Sequence, residues 1–334
     1  MARCLIIGAG IVGLSTAYEL KKADFDITIF DDEKTGQASK SAGGILFPLN
    51  PWENSKKMQE LCLSGHNEYN NFFKKLTGIE KNEINYSKKD LIIFGDKISL
   101  AKKWYDQNKE IKSSYHEKEL CQTEINIKKN HKNFLLVKDI NIINPNSIIK
   151  FYKKRLLNSG VIFKKKKAVD ILSLLGSDNN KFDYIIITAG VWSKEILCEE
   201  DEINIKPIKG QLLHYKTNKK ILDNVLIYND YYIIPRSDNN LVVGSTLEDV
   251  GFNEEITNEA KTYLQKAILE LFSADLELQE VKQTFGFRPY SYLEQPYIRQ
   301  HSAYNRIIFN FGHFRYGMLT AISSAKIVKN IINK

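Results

Sequence analysis

Metal-binding and disulfide-forming residues are scarce in this sequence. Its 334 residues include 4 cysteines and 6 histidines. Cys4, Cys62, Cys121 and Cys198 lie far apart without a C-x-x-C pair, and none of the histidines has the spacing of metal ligands. We therefore expect no bound metal, no disulfide framework and a reducing, cytoplasmic environment.

Long apolar runs, internal repeats and low-complexity linkers are also missing from the sequence. No stretch reaches the roughly 18 uninterrupted apolar residues of a membrane-spanning helix, and no small-residue cleavage site follows the apolar N terminus. These features predict a soluble protein without a membrane segment. With 43% hydrophobic residues, the chain can bury a substantial core and is long enough for two domains, which the lack of a linker predicts to be interleaved.

The formal net charge of +8 suggests an anionic partner such as nucleic acid. The lysines, however, are scattered along the chain. The dense run from Lys164 to Lys167 directly follows the short apolar segment Val161-Ile162-Phe163. A solvated strand end explains this run better than a phosphate-binding patch, so we do not expect a nucleic-acid partner.

The N terminus contains a strand, a glycine turn and a helix in immediate succession. Cys4-Leu5-Ile6-Ile7 is the predicted strand, and the G-x-G-x-x-G turn leads into a helix that includes Leu14 to Leu20. Gly8 permits the tight turn, Gly10 lets a diphosphate approach the backbone, and Gly13 lets the helix pack closely on its strand. The N terminus of the helix then faces the anion.

A second strand supports the prediction of a dinucleotide site. Ile27-Thr28-Ile29-Phe30 is typical of a buried strand, and Asp31 follows it directly. Asp31 lies about 20 residues beyond the glycine turn, where an acidic side chain contacts a ribose hydroxyl in nucleotide-binding proteins. An ordinary glycine-rich turn would leave this acidic residue unexplained.

Two amphipathic helices and one fully buried strand follow. Helical spacing runs from Glu53 to Leu76, ending at Gly78, and again from Asn144 to Gly160. Tyr184-Ile185-Ile186-Ile187 is a continuous apolar run, typical of a parallel strand covered on both faces. It ends in the small-residue turn Thr188 to Ser193, and ligands of open α/β sheets bind at such strand ends.

The remaining segments are mostly extended. Residues 84–136 have an irregular pattern, with a strand at Leu91-Ile92-Ile93-Phe94 and a charged helix near Leu100 to Tyr105, and we interpret this segment as an insertion. Residues 205–287 contain short β-rich runs around one helix from about Asn258 to Phe272. A strand at 307–311, a glycine-flanked loop and a helix at 318–332 close the chain. We predict a mixed α/β fold in which a Rossmann-like domain is interleaved with an antiparallel sheet that has helices on one side.

In this order, the segments resemble the D-amino-acid-oxidase-like family of FAD enzymes, most closely its glycine oxidase branch, which acts in thiamine biosynthesis. The resemblance extends over nearly the whole chain. Besides the N-terminal glycine turn it rests on Ser41 to Leu46, Thr188 to Ser193, Lys209 to Gln211, Tyr232 to Arg236, Leu241 to Thr246, Gly286 to Pro289 and Gly312 to Gly317. It implies an FAD-binding domain of residues 1–77, 140–205 and 286–334, and a substrate-binding domain of residues 78–139 and 206–285.

The resemblance implies non-covalently bound FAD. Its ADP half would lie at the glycine turn and Asp31, its adenine would contact the backbone of Val169, and segments 42–46 and 312–318 would flank the isoalloxazine ring. A helix that starts near Gly317 could stabilise negative charge on the reduced ring. The implied cofactor-binding residues are Gly8, Gly10, Ile11, Val12, Gly13, Asp31, Ala42, Gly43, Gly44, Leu46, Val169, Ala189, Gly190, Trp192, Gly312, His313, Arg315, Tyr316, Gly317 and Met318.

The resemblance also implies a substrate site. Arg288 matches the arginine that binds the α-carboxylate of an amino acid, a task suited to a planar fork of donors. Tyr232 matches a tyrosine at the same carboxylate, and these two are the predicted catalytic residues. Ile45, Leu247 and Arg315 are the other predicted residues of the substrate pocket.

Most of these polar side chains also have a structural alternative. Arg288 could instead form a salt bridge between the domains, and Tyr232 could pack in the core, because neighbouring tyrosines on a strand face opposite ways. Arg315 either steers anions or braces its loop. For Arg236, a role in the turn or interface is favoured, and for His313 a loop-bracing hydrogen bond.

The implied reaction is the oxidation of glycine or a similar small amino acid or amine, such as sarcosine or D-alanine. A hydride would pass to flavin N5, leaving the imine, and O2 would reoxidise the flavin to give H2O2. An amino-acid dehydrogenase with another acceptor and a tRNA aminomethyl-modifying flavoprotein remain open, although no RNA-binding module is present. A homo-oligomer also remains open. Tyr316, where glycine oxidases often have asparagine, and the bulky segment Tyr290 to Gln295 depart from the family pattern and could reshape the entrance.

Overall fold

The computed structural model describes residues 1–120, 127–128, 131–167, 170, 175–176, 182–197, 202–237, 239–273 and 276–333. Val169, Cys121 and Cys198 lie outside these residues. The strands of the described part are β1 Arg3–Ile7, β2 Asp26–Asp31, β3 Ser87–Phe94, β4 Ser113–Glu119, β5 Lys132–Ile142, β6 Ile162–Lys165, β7 Tyr184–Ile187, β8 Ile205–Thr217, β9 Val225–Tyr228, β10 Tyr231–Pro235, β11 Asn240–Gly244, β12 Leu278–Ser291, β13 Tyr297–Gln300 and β14 Ile307–Phe311. The α-helices are α1 Ile11–Lys21, α2 Lys56–Lys74, α3 Gly78–Glu83, α4 Ile98–Gln107, α5 Pro145–Asn158, α6 Asn258–Leu271 and α7 Gly317–Ile332.

One half of the structure is built on a six-stranded sheet with the order β13-β14-β7-β1-β2-β6. All neighbouring strands are parallel except the antiparallel pair β13 and β14. Cys4 and Ile6 of β1 pack with residues of helices α1, α2, α5 and α7 on one face, whereas Leu5 and Ile7 join the core on the other face. Because both faces are covered at the centre of the sheet, β1, β7 and β14 are mostly apolar, which is the feature that predicted β7.

Local signals define the helices of this half well. α5 begins after Asn144, whose side chain accepts hydrogen bonds from the N–H groups of Asn146 at 3.0 Å and Ser147 at 3.2 Å. It ends just before Gly160, as predicted. Gly78 was expected to end the preceding helix. It is instead the first residue of the short helix α3, whose N terminus has a capping box formed by Thr77 and Glu80.

The second sheet has eight strands in the order β12-β8-β11-β10-β9-β3-β5-β4. Every pairing is antiparallel except that of β3 with β9. The long strands β8 and β12 pair over nearly their full length, from Leu278 opposite Thr217 to Ser291 opposite Ile205. The mixed α/β fold with two sheets and helices is therefore confirmed.

Two details of this sheet differ from the prediction. The strand and the helix predicted within residues 84–136 are present as β3 and α4, but the segment is not an irregular insertion, because its described part also supplies β4 and the start of β5. β4 is a polar edge strand without a buried face, so it shows no apolar alternation in the sequence. Helices also lie on both faces, since α6 packs with Ile92 and Phe94 of β3 while α4 packs with Leu91 and Ile93.

The predicted domain boundaries remain a prediction. Strands β5 and β12 run across two of them, at residues 139–140 and 285–286. No helix in the described part of the chain is both long and apolar enough to cross a membrane. Within the same part, no group of three His, Cys, Asp or Glu residues is arranged to hold a metal ion, and Cys4 and Cys62 are buried and unpaired.

Candidate active site

A cavity of about 740 Å³ lies between the two sheets. It starts at the carboxyl ends of β1, β2 and β7, where Gly10, Asp31 and Ala189 line it, and reaches Tyr232 and Arg288 on the eight-stranded sheet. This is the edge at which open α/β sheets bind their ligands. The volume is within the usual range of about 300–1,000 Å³ for small-molecule sites.

The glycine turn leaves bare backbone at the start of the cavity. Gly8 has a φ of +106°, and a Cβ atom there would stand 2.7 Å from the carbonyl oxygen of Thr188. A Cβ on Gly13 would stand 2.0 Å from the carbonyl oxygen of Gly8, so this glycine permits the helix–strand contact and does not itself line the cavity. Gly10 lines the cavity, and α1 begins after it without a side-chain cap. First-turn N–H groups of a helix lack intrahelical partners, so an anion can accept hydrogen bonds from them.

Asp31 braces the glycine turn from the end of β2. Its carboxylate accepts hydrogen bonds from the backbone N–H of Ala9, from that of Glu33 at 2.7 Å and from the side-chain amide of Gln37 at 3.3 Å. The hydroxyl of Ser39 accepts a hydrogen bond from the N–H of Ile11 at 3.0 Å. Gln37 and Ser39 line the cavity and were missed, because no local pattern links them to the glycine turn.

Arg236 fixes the segment that contains Ala42, Gly43 and Gly44, all three of which line the cavity. Its guanidinium donates to the carbonyl oxygens of Ile143, at 2.7 Å, and of Gly43. Burial lowers the pKa of Arg236 to about 10. Arg236 thus joins the two halves of the chain, as expected for an interface residue.

Leu46 lies in the core beneath the cavity and not on its wall. Its side chain is fully buried among residues of the helices, and its N–H donates to the carbonyl oxygen of Asn141 at 2.9 Å. Ile45 is 9% exposed and lines the cavity. Adjacent residues of this extended segment therefore face opposite sides.

Arg288 and Tyr232 meet at the far end of the cavity. Arg288 Nη1 donates to the carbonyl oxygen of Thr246 at 3.0 Å, and Nη2 donates to the hydroxyl oxygen of Ser245 at 2.8 Å. No described residue forms an ion pair with this guanidinium. Burial lowers the pKa of Arg288, while the nearby phenol of Tyr232 opposes the shift.

Tyr232 and its neighbour Tyr231 both line the cavity, but their side chains pack on opposite faces of the sheet. Tyr231 packs with the α6 side of the sheet, its ring centroid 4.8 Å from that of Tyr263. Burial raises the pKa of Tyr232, against the effects of the Arg288 charge and a hydrogen bond with Ser245. The phenol therefore stays protonated and can donate a hydrogen bond at neutral pH.

The loop from Gly312 to Met318 forms another wall of the cavity. His313 is buried inside it, with Nε2 3.0 Å from the side-chain oxygen of Asn310 and Nδ1 2.8 Å from the hydroxyl of Thr320. The Asn310 amide nitrogen donates to the Thr16 hydroxyl at 3.1 Å, so the Asn310 side-chain oxygen faces His313. Burial lowers the pKa of His313 to about 3, so the ring is neutral and braces the loop.

Tyr316 and Arg315 differ sharply in environment. The Tyr316 hydroxyl is buried, donates to the carbonyl oxygen of Leu49 at 2.7 Å and accepts from the Asn54 amide at 2.8 Å. Burial raises its pKa to about 12. Arg315 is exposed, with its guanidinium carbon 5.0 Å from the centre of the Phe314 ring. Tyr316 thus anchors the loop from within, whereas Arg315 is free to meet an anion in solution.

The remaining predicted residues line the cavity between these ends. They are Ile11, Val12, Ala189, Gly190, Trp192, Leu247, Gly312, Gly317 and Met318. Leu247 is 60% exposed, so it lies where the cavity opens. Trp192 stacks on Phe252 with ring centroids 6.0 Å apart. Of all the predicted site residues in the described chain, Gly13 and Leu46 alone do not line the cavity.

A comparison with protein families matches residues 3–331 to the FAD dependent oxidoreductase family, DAO. The chain belongs to this family. FAD is accordingly its cofactor, and the bare glycine turn, the cavity that reaches from Asp31 to Arg288 and the glycine-rich walls fit this group. When bound, FAD supplies a two-electron acceptor at its isoalloxazine ring.

Relatives of this FAD-dependent oxidoreductase match nearly the whole chain at modest identity. A glycine oxidase of Pseudomonas aeruginosa is 27% identical over 350 residues, covering 99% of this chain and 94% of that protein. A bifunctional protein ThiO/ThiG of Synechocystis is 25% identical over 98% of this chain, which spans 51% of that protein.

Solved structures share the fold. A glycine oxidase from Bacillus cereus superposes with a TM-score of 0.86 at 20% identity, covering 100% of this chain and 95% of that one. Iminodiacetate oxidase from Chelativorans superposes with a TM-score of 0.87 at 22% identity, covering 99% and 95%. At these identities the likeness extends to the fold alone.

Proposed function

We propose that the enzyme binds a small amino acid or amine by its carboxylate at Arg288 and oxidises it to the imine. The observation that carries this proposal is the guanidinium of Arg288, whose partners in the cavity are the neutral groups of Thr246 and Ser245. A desolvated cation without a counter-ion is stabilised by binding an anion. The names of the glycine oxidase relatives support an amino acid as that anion.

Each residue then has a defined part in the proposal. Arg288 holds the carboxylate with its fork, and the protonated phenol of Tyr232 donates a further hydrogen bond to it. Ile45 and Leu247 provide apolar walls. This arrangement fixes the orientation of the α-carbon hydrogen, and orientation can supply several kcal/mol of rate acceleration. FAD, held by the glycine turn and by segments 42–46 and 312–318, would supply the acceptor for this hydride and, with O2 and two protons, the route to H2O2.

Proton transfer by the protein has little part in this mechanism. His313 is neutral and both of its nitrogens are engaged within the loop. The phenol of Tyr316 is likewise engaged with Leu49 and Asn54. The substrate amine would therefore lose its proton to solvent before oxidation, and kcat/KM for glycine should rise with pH as more of the neutral amine is present.

The direct test uses the purified protein. It should be yellow, and glycine or sarcosine should bleach it in the absence of oxygen. A peroxide assay with glycine, sarcosine and D-alanine then ranks the substrates. Comparing O2 with an artificial dye acceptor separates an oxidase from a dehydrogenase. A colourless protein that ignores added FAD would contradict the proposal.

We further propose that the imine serves thiazole formation in thiamine biosynthesis. The ThiO/ThiG relatives, of which the chain spans about half the length, support this role. The test is growth of a thiamine-requiring bacterial strain that lacks its own glycine oxidase. The wild-type gene should restore growth without thiamine, and a gene carrying Arg288→Ala should not.

A further inference from the structure

We propose that Glu248 is a positioning residue for Arg288 and acts through Thr246. The inference rests on the proposed role of Arg288 as the carboxylate-binding group. Glu248 forms no ion pair with Arg288 but lies two residues beyond Thr246, whose carbonyl oxygen accepts a hydrogen bond from Arg288 Nη1 at 3.0 Å. The sequence offers no pattern that would single it out.

Thr246 is held in place by its own side chain. Its hydroxyl oxygen accepts a hydrogen bond from the backbone N–H of Gln211 at 2.8 Å, and the hydroxyl proton is donated to Glu248 Oε1. Thr246 is 5% exposed. The carboxylate of Glu248 therefore determines the rotamer of a buried residue whose backbone carbonyl holds Arg288.

The carboxylate of Glu248 also collects two other buried donors. The Gln211 side-chain nitrogen donates to both of its oxygens, at 3.0 and 3.1 Å, and Lys209 Nζ lies 3.7 Å from Oε2. Gln283 donates to the Gln211 side-chain oxygen at 2.8 Å, which fixes the Gln211 amide with its nitrogen towards Glu248. Gln211 and Lys209 are almost fully buried. An acceptor-only group at position 248 is what this set of donors requires.

Both acceptors of the Arg288 fork lie on the segment that this network holds. Nη1 bonds to Thr246 and Nη2 to the hydroxyl of Ser245. Backbone hydrogen bonds of 2.9 Å in both directions between Glu248 and Lys209 attach the end of the segment to β8. A shift of this segment turns both arms of the guanidinium, so losing the Glu248 carboxylate should weaken carboxylate binding without touching the cofactor.

The test compares Glu248→Gln with a swap variant, Glu248→Gln with Gln211→Glu. The single change, Glu248→Gln, places the new amide nitrogen at position 248 against the Gln211 amide nitrogen and the Lys209 ammonium group. The swap restores one carboxylate facing one amide and the original charge. Asp249→Asn is the matched control, because this substitution removes the same charge from the same loop. The Asp249 side chain is 61% exposed and pairs with Lys206.

The measurement is the Kd of the FAD-loaded protein for glycolate, a carboxylate without an amine, from the change in flavin absorbance. Glu248→Gln should raise the glycolate Kd and the glycine KM about tenfold while kcat changes less than about twofold. The swap should restore the Kd to within about threefold, and Asp249→Asn should leave it unchanged.

Three results would overturn the inference. The first is an unchanged glycolate Kd in Glu248→Gln. The second is the same loss of bound FAD and the same drop in melting temperature in the single variant and in the swap variant. The third is a wild-type protein that binds glycolate no more tightly than Arg288→Ala does. Failure of the proposed function looks different. Glycine, sarcosine and D-alanine would then leave the wild-type flavin oxidised, while glycolate binding would still depend on Arg288 and Glu248.

Discussion

The guanidinium of Arg288 lies against the bare backbone of Gly210, where a Cβ atom would stand 2.1 Å from Nη2. The two residues are diagonal neighbours on the adjacent strands β8 and β12, since Gly286 pairs with Gly210 and Arg288 with Ile208. The missing side chain at 210 therefore creates the space in which the cation lies beside Thr246 and Ser245.

Gly210→Ala should displace the guanidinium from both of its acceptors. FAD should remain bound, because β8 belongs to the sheet that does not contain the glycine turn. The KM for glycine should rise about tenfold or more, with a smaller change in kcat, as expected when a bidentate charged contact is lost. Gly78→Ala is a suitable control, because a Cβ at position 78 meets no atom within 4 Å. The measurement is steady-state kinetics of the two variants with glycine. An unchanged KM in Gly210→Ala would contradict the placement of the Arg288 guanidinium against Gly210.

Arg288→Ala should not lower the melting temperature, because the buried cation has no anionic partner among the described residues and its desolvation opposes folding. Glycolate at about 100 times its Kd should stabilise the wild type by about 2.7 kcal/mol, and the variant should lose this effect. Arg155→Ala is the control, because Arg155 is paired with Glu80 and should still respond to glycolate. Thermal melts with and without glycolate provide the measurement. A lower melting temperature in Arg288→Ala would instead indicate a salt bridge.

Gly10→Val should block the approach of the FAD diphosphate to the start of α1. A Cβ at this position already lies 3.2 Å from the Ser39 hydroxyl, and the extra methyl groups would occupy the cavity. We expect folded but colourless protein whose Kd for FAD is raised at least about a hundredfold.

Acid precipitation of the wild type should release all of its flavin as FAD. Flavin that stays with the precipitated wild-type chain would refute non-covalent binding.

His313 should make the fold less stable in mild acid. Its pKa in the folded protein is lowered to about 3 by burial, so between pH 3 and about 6.5 the unfolded chain binds a proton that the folded chain does not. Stability from this group is complete above about pH 6.5 and is lost as pH falls, by about 2 kcal/mol at pH 5. Urea unfolding at pH 5.0 and 7.5 should show a smaller difference in His313→Gln than in wild type. The surface variant His116→Gln should behave like wild type, and equal differences in all three proteins would count against the assignment.

Most secondary structure was predictable because its signals are local. β1, β2, β7 and β14 are short apolar runs, and α5 has both its capping asparagine and its terminal glycine in the sequence. β4 was not predictable, because a polar edge strand has no buried face to produce a pattern. The placement of α4 on the site side of the eight-stranded sheet likewise depends on strand order, which the local pattern does not contain.

The site was predictable only in part. The glycine turn and Asp31 follow from backbone sterics and spacing, and family resemblance indicated Arg288 and Tyr232. Nothing in the sequence connects Gln37 and Ser39 to the turn. The contacts of Tyr316 with Leu49 and Asn54 also join residues more than two hundred and fifty positions apart, which is why its anchoring role was not foreseen.

By itself, the sequence predicted a nucleotide site at the N terminus, because Gly8 and Gly13 allow a backbone path that other residues obstruct sterically. The tertiary structure alone decided that Arg288 lies in the cavity without an ion pair to any described residue, and that Glu248 accepts a hydrogen bond from the Thr246 hydroxyl. These relations depend on the register of β8 against β12 and on the return of segment 245–248 to β8. Register is a cooperative property of paired strands, so neither strand specifies it through its own pattern.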